Sequence, residues 1–312
     1  ASATPLDSRR CIASSPIGRS PDRSTVATSE RPRQLRAGQG ERMQDTIEAD
    51  AGATPSFFRT RDLRGRGWRT RDLSTAVATG HLTRLRPGAY CAVDTPPDCV
   101  AAGRTRGRLA CISELRRLGV FVLDHSTRHI HIEPEAARLR ASAPARVHRD
   151  KLIRTPHPRA LSVETLDALR QSVICQNPRA AIATIDSALH LGVIPHDDLD
   201  ELFAALPRRH RRLRRLLDSR AESGAESLMR LILRTIGCRF DVQVSIDGVG
   251  RVDFLIDGWL IVECDSAAFH SSWEEQKRDR RRDQAAAARG FATYRPIAED
   301  IMWHPDVVRA AV

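Results

Sequence analysis

The sequence predicts a mixed α+β chain built from more than one domain. Three observations lead there. The chain has 312 residues, enough for two or three separate cores. A front segment gives two short helical periods followed by a strand pair. The end of the chain alternates helix, strand, strand, strand, helix, strand, with apolar runs of strand length between turn signals. Hydrophobic residues make up 41% and charged residues 29%, a balance that supports packed cores over most of the chain.

Residues 1–54 depart from that balance. They are rich in Ser, Arg, Pro, Thr and Gly and lack apolar periodicity, so this tail is predicted to be disordered. Met43 is the first methionine, and the ordered protein is expected to begin near it, residues 1–42 being an extension.

The formal net charge is +11, and lysine occurs only at Lys151 and Lys277, so arginine carries nearly all the positive charge. Arginine pairs with phosphate bidentately, and an excess of bases over acids favours polyanions; nucleic acid leads as partner, well ahead of an anionic membrane surface. No run of apolar residues is long enough to span a bilayer, and the N-terminus lacks an apolar signal core. The seven cysteines are scattered and form no C-x-x-C pair, which suggests neither a zinc site nor a disulfide framework. Reduced thiols and a cytoplasmic location follow.

Residues 55–100 begin the ordered part. Helices are predicted at 60–66 and 70–79, opening on Thr60 and Thr70 as N-cap candidates and ending at Gly67 and Gly80. A small hairpin turning at Pro87-Gly88 follows. Two helices and a hairpin make a winged helix-turn-helix, with Arg69, Arg71, Arg84 and Arg86 offered to DNA. Leu63, Leu73, Gly80, Leu82, Arg84, Gly88 and Tyr90 fit a leucine, Gly-x-Leu-x-Arg and Gly-x-Tyr pattern. In these residues the segment resembles the N-terminal winged-helix module of AbiEi-family antitoxins, which implies DNA binding.

Residues 101–220 read as an α-rich middle region with a few strands, structural in role. A helix at 109–118 stops at Gly119, strands follow at 120–124 and 129–133, and helices at 162–170, 178–191 and from Pro195 to Pro207. His129 and His131 share one strand face, but no nearby Cys or acid completes a ligand set, so they read as surface histidines on an edge strand. The arginines of 208–220 surround a stripe of Leu213, Leu216 and Leu217 and fit either phosphate contact or a solvated helix face.

Residues 221–312 carry the chemistry. Two apolar strands meet at Asp257-Gly258, a strong hairpin signal, yet Asp253, Glu263 and Asp265 sit inside them, where acids are disfavoured. Acids in an apolar strand pair call for a cation. Upstream, Ser223-Gly-Ala-Glu226 has the form of a capping box, which gives Glu226 a purely structural use as well. Downstream come His270 and a helix of alternating charge at 273–289.

Glu226, Arg251-Val-Asp253, Glu263-Cys-Asp265, Phe269-His270, Asp279-Arg-Arg-Arg282-Asp283, Gly290 and Arg295 together resemble the endonuclease-like group of unknown function related to very-short-patch-repair endonucleases, within the PD-(D/E)XK superfamily. The resemblance implies a restriction-endonuclease-like α/β/α domain with a mixed sheet and hydrolysis of DNA phosphodiesters. It implies Mg²⁺ (or Mn²⁺) held by Asp253, Glu263 and Asp265, with Glu226 and His270 in catalysis and Arg282 reaching toward the nucleic acid. Two departures stand out: Asp265 occupies the position of the superfamily's lysine, and Ser266 that of a usual glycine. A strict two-residue loop would send Asp253 and Glu263 to opposite sheet faces, so the metal site requires an odd-length loop or a bulge. The alternative function is a non-catalytic, DNA-binding regulator of antitoxin type.

Overall fold

The computed structural model describes residues 54–135, 144–264 and 273–312. The expectations for residues 1–53, Asp265 and His270 lie outside the described residues.

The front unit comprises β1 (Phe58–Arg59), α1 (Thr60–Gly65), α2 (Thr70–Ala78), β2 (Leu82–Arg86) and β3 (Ala89–Ala92). Its antiparallel sheet has the order β1-β3-β2. Phe58, Leu63, Leu73, Ala76 and Leu82 form its core. Each helix begins Thr-Arg-Asp-Leu, and the aspartate determines the start. Asp62 and Asp72 accept hydrogen bonds from the backbone N–H groups of Arg59 (3.2 Å) and Arg69 (2.8 Å). The threonines are therefore first helical residues rather than caps, a correction to the expected capping. An acid three residues into the helix both satisfies an orphan N–H and complements the helix dipole. The chain leaves α2 through Gly80 at φ +74°, a conformation that costs glycine little.

The middle region contains α3 (Pro97–Arg104), β4 (Arg108–Leu109), α4 (Cys111–Arg117), β5 (Arg128–His131), β6 (Ala145–His148), α5 (Thr165–Cys175), α6 (Pro178–His190) and α7 (Asp198–Ala204). The short α8 (Arg208–Arg211) and a 3₁₀ turn (Arg212–Leu216) follow in place of one arginine-rich helix. Strand β5 lies between β4, antiparallel to it, and β6, parallel to it. His129 and His131 are therefore on a central strand and only 5% and 0% exposed, which corrects the reading of surface residues on an edge. The stretch 120–124 is irregular rather than a strand. Its Val120 and Val122 still enter the main core with Leu115, Leu169, Ile185 and Leu202.

The last region runs α9 (Gly224–Ile236), β7 (Phe240–Ile246), β8 (Gly250–Ile256), β9 (Leu260–Val262), α10 (Trp273–Ala287), β10 (Ala292–Tyr294), α11 (Ala298–Trp303) and α12 (Pro305–Ala311). The sheet order is β10-β9-β8-β7; β7, β8 and β9 form an antiparallel meander, and β10 joins β9 in parallel. Leu228 and Ile232 of α9 pack with Phe254, Val262 and Ile301 on one side of the sheet. Ala286 of α10 packs with Ile261 and Val252 in a separate cluster. This is a mixed sheet between helical layers.

A buried network crosses the expected boundary at 220/221. Asp186 on α6 and Arg230 on α9 are 0% and 1% exposed and pair at 2.7 Å. Asp186 also accepts from Ser227 Oγ (2.9 Å) and the Asp218 N–H (2.8 Å), and Arg230 donates to the Leu216 carbonyl (2.7 Å). Nearly every polar group of this pair has a partner, the condition under which a buried ion pair is tolerated.

Candidate functional site

The β8–β9 turn sets the geometry. Asp257 and Gly258 both have positive φ, +46° and +77°, and the Trp259 N–H donates to the Ile256 carbonyl at 3.1 Å. That is the type I′ pattern the Asp-Gly pair favours. Trp259 is an extra residue, because the ladder resumes with Ile256 opposite Leu260, Leu255 opposite Ile261 and Phe254 opposite Val262. The ladder ends with Phe254 opposite Val262, and Asp253 and Glu263 follow directly beyond that last pair. The connection thus has three residues, an odd length, where a strict two-residue loop would have had an even one.

Asp253 Oδ2 accepts the Cys264 N–H at 2.8 Å, and its Oδ1 lies 3.4 Å from the Gln243 side-chain nitrogen. The same nitrogen donates to Glu226 Oε2 at 2.9 Å. Gln243 therefore bridges two carboxylates from different elements. It holds φ +54° in the middle of β7, and its Oε1 is buried without a hydrogen-bond partner. Strained backbone of this kind persists where the surroundings enforce it, which is common in functional sites. In the sequence Gln243 is one of three alternating polar residues of β7, with Asp241 and Ser245, and nothing there sets it apart.

Glu226 also has a structural use, though not the expected one. Ser223 Oγ accepts from the Glu226 N–H at 3.2 Å, while Glu226 Oε2 reaches the Glu222 N–H at 2.9 Å instead of that of Ser223. Neither Glu226 nor Asp253 forms an ion pair among the described residues. Burial raises both carboxyls above the ordinary range; their mutual repulsion raises Glu226 further, and hydrogen bonds to Cys264 and Gln243 partly offset the rise at Asp253.

Glu263 is differently placed. Arg282 Nη2 donates to its Oε1 at 2.8 Å, and Arg295 Nη1 lies 3.7 Å from its Oε2. Burial raises its pKa, and the two arginines oppose that rise. Arg282 also donates to the carbonyls of Arg251 (2.7 Å) and Val249 (3.3 Å), and Arg295 to Asp283 (2.9 Å). Arg282, expected to face nucleic acid, is thus anchored beside Glu263.

The expected ligand set of Asp253, Glu263 and Asp265 is not gathered among the described residues. Asp265 lies outside them, Glu263 faces arginines, and the only convergent group of Cys, His, Asp and Glu ligand atoms among them lies elsewhere. The donor chemistry still suits a hard cation. Asp253, Glu226 and the unpartnered Gln243 Oε1 offer oxygen atoms along one narrow crevice, and Mg²⁺ binds through one or two carboxylates while retaining water.

At the front unit, Arg69, Arg71 and Arg84 are exposed. Arg71 has only a distant neighbour in Asp72 (3.9 Å). Arg86, also expected to contact DNA, is half-buried and has partners within the protein. Its guanidinium hydrogen-bonds the Gly103 carbonyl and lies 4.9 Å over the Phe57 ring. Burial lowers its pKa, consistent with a side chain engaged in packing.

No helix among the described residues is long and apolar enough to cross a membrane. No curated protein matches the chain. Residues 51–93 match a family model described as "Transcriptional regulator, AbiEi antitoxin", so the β1–β3 unit is similar to that part of such regulators.

Proposed function

We propose that this protein binds DNA through its front unit and hydrolyses phosphodiester bonds at the acidic site between α9 and the β8–β9 hairpin. The observation that supports the hydrolytic reading is the cluster of buried and half-buried acids at the end of the hairpin, with Glu226 bridged to Asp253 through Gln243. The helix–strand order and mixed sheet also support it.

Asp253 and Glu226 would hold Mg²⁺ or Mn²⁺, with Glu263 joining if it exchanges Arg282. Bound there, the cation supplies Lewis-acid polarisation of the phosphate and a more acidic water. Arg282 and Arg295 meet the negative charge that builds on the phosphate, in the position left open by the missing lysine. Gln243 orients the two carboxylates. Asp265 and His270 keep the roles their sequence positions imply, a further acidic ligand and a general acid or base. Arg69, Arg71 and Arg84 hold the DNA backbone and leave cleavage to the distant acids.

The second reading, a non-catalytic DNA-binding regulator, is favoured by the family match at residues 51–93 and by the arginines that neutralise Glu263. Supercoiled plasmid incubated with Mg²⁺ or Mn²⁺ separates the two. Hydrolysis predicts nicking or linearisation by the parent that is lost in Asp253→Ala and Glu263→Ala. DNA binding without cleavage in either metal assigns the regulator.

A further inference from the structure

The middle region, for which neither the sequence nor the hydrolytic reading supplies chemistry, brings four sulfur and nitrogen atoms together. Cys111 is the first residue of α4, His129 lies on the central strand β5, His148 ends β6 and Cys175 ends α5. One ligand atom from each lies within 4.8 Å of all the others. His148 Nε2 is 3.2 Å from His129 Nδ1, and Cys175 Sγ is 3.8 Å from the same nitrogen.

Those separations match a particular metal. Zinc bonds of about 2.0–2.1 Å to nitrogen and about 2.3 Å to sulfur place tetrahedral ligand atoms about 3.3–3.8 Å apart. Two thiolates and two neutral imidazoles leave the dication neutral overall, so such a group can be buried at low electrostatic cost. Thiolate ligands also select a soft or borderline ion and exclude Mg²⁺, the cation suited to the acidic site.

The backbone holds these positions firmly. Cys111 has φ +52°, a conformation rarely adopted by a residue with a side chain. The His129 N–H donates to Ser113 Oγ at 2.9 Å, and its carbonyl accepts from Ala110 at 3.1 Å. The His148 carbonyl accepts from Ile132 at 2.9 Å. His129 and Cys175 also line a cleft of about 330 Å³, bordered by Asp124, Arg146, Asn177 and Trp303, which gives an ion a way in.

We propose that Cys111, His129, His148 and Cys175 bind a single zinc ion in a closed structural site that clamps α4, β5, β6 and α5 together. The four ligands lack the short paired spacings of familiar zinc motifs, so the site is not legible in the sequence. They come together only when β6 pairs with β5 and α5 packs against α4.

Metal analysis of the full-length chain, purified with a thiol reductant and passed over a weak chelator, is expected to find about one zinc per chain. Protein produced in cobalt-supplemented minimal medium is expected to show the visible bands of tetrahedral cobalt and a near-ultraviolet thiolate-to-cobalt band. Cys175→Ser and His148→Ala are expected to lose the metal, while Cys238→Ser, outside the cluster, keeps both metal and spectrum. His148→Cys preserves four ligands and is expected to retain cobalt with a stronger thiolate band, which keeps the test open if the other variants do not fold. Metal-free parent protein, or cobalt bound without a thiolate band, overturns the proposal and leaves the four side chains as a hydrogen-bonded cluster.

Discussion

At the scale of single residues, Asp253 and Glu226 are buried acids that share one amide donor, with no cation paired to either among the described residues. Their folded pKa values are raised. A raised folded pKa contributes stability that is complete below the unfolded carboxylate range and lost as pH rises through the folded value. Asp253→Asn and Glu226→Gln retain an acceptor for the backbone bond without the charge. The stability difference between each variant and the parent is therefore expected to shift in the variant's favour as pH rises from 4 to 7, read by urea denaturation. A difference independent of pH would mean that the acids are not penalised in the folded state. At pH 7, saturating Mn²⁺ is expected to raise the parent's Tm, by linkage equivalent to about 2.7 kcal/mol at a hundredfold excess over Kd. The Asp253→Asn variant should show little of that shift.

Elements account for what the sequence revealed and what it hid. The meander and its type I′ turn were legible because alternation and Asp-Gly are local signals. The parity of the hairpin was not, since it depends on Trp259, an extra residue whose place is decided when β9 pairs with both β8 and β10. The buried position of His129 depended in the same way on β6, which the sequence reading missed and which joins β5 across a long connection. Within the front unit, the exposed and packed arginines should separate. Arg69→Ala and Arg84→Ala are each expected to weaken DNA binding and to reduce the slope of log K against log salt by about 0.9 if each meets one phosphate. Arg86→Ala should leave that slope alone and lower the Tm, because its guanidinium serves Gly103 and Phe57. A loss of salt slope in Arg86→Ala would return it to the DNA interface.

Across the whole molecule, the four-stranded sheet β10-β9-β8-β7 is joined to the helical middle. The Asp186–Arg230 pair ties α6 to α9, and Ala183 of α6 belongs to the same core as Phe254 and Val262. Arg230→Ala leaves an aspartate buried without its partner and is expected to cost about 3–5 kcal/mol. Because α9 also carries Glu226, the variant should lose divalent-cation stabilisation along with stability. Denaturant melts followed by far-ultraviolet circular dichroism and by tryptophan fluorescence test this, and an unchanged midpoint would show that the two regions are energetically independent. The composition foresaw packed cores, but not this join, because Asp186 and Arg230 lie 44 residues apart in the chain and meet only once α6 and α9 pack.

In the proposed function the Asp253 carboxylate serves hydrolysis rather than DNA affinity or folding. Binding and single-turnover cleavage of one labelled duplex, measured on the same preparations of parent and Asp253→Asn in Mg²⁺, address it most directly. Kd is expected to stay within about twofold and the cleavage rate to fall at least about a hundredfold, the scale on which a positioned catalytic group acts. Cleavage by Asp253→Asn at the parent's rate, or binding by the parent with no cleavage in Mg²⁺ or Mn²⁺, would contradict it.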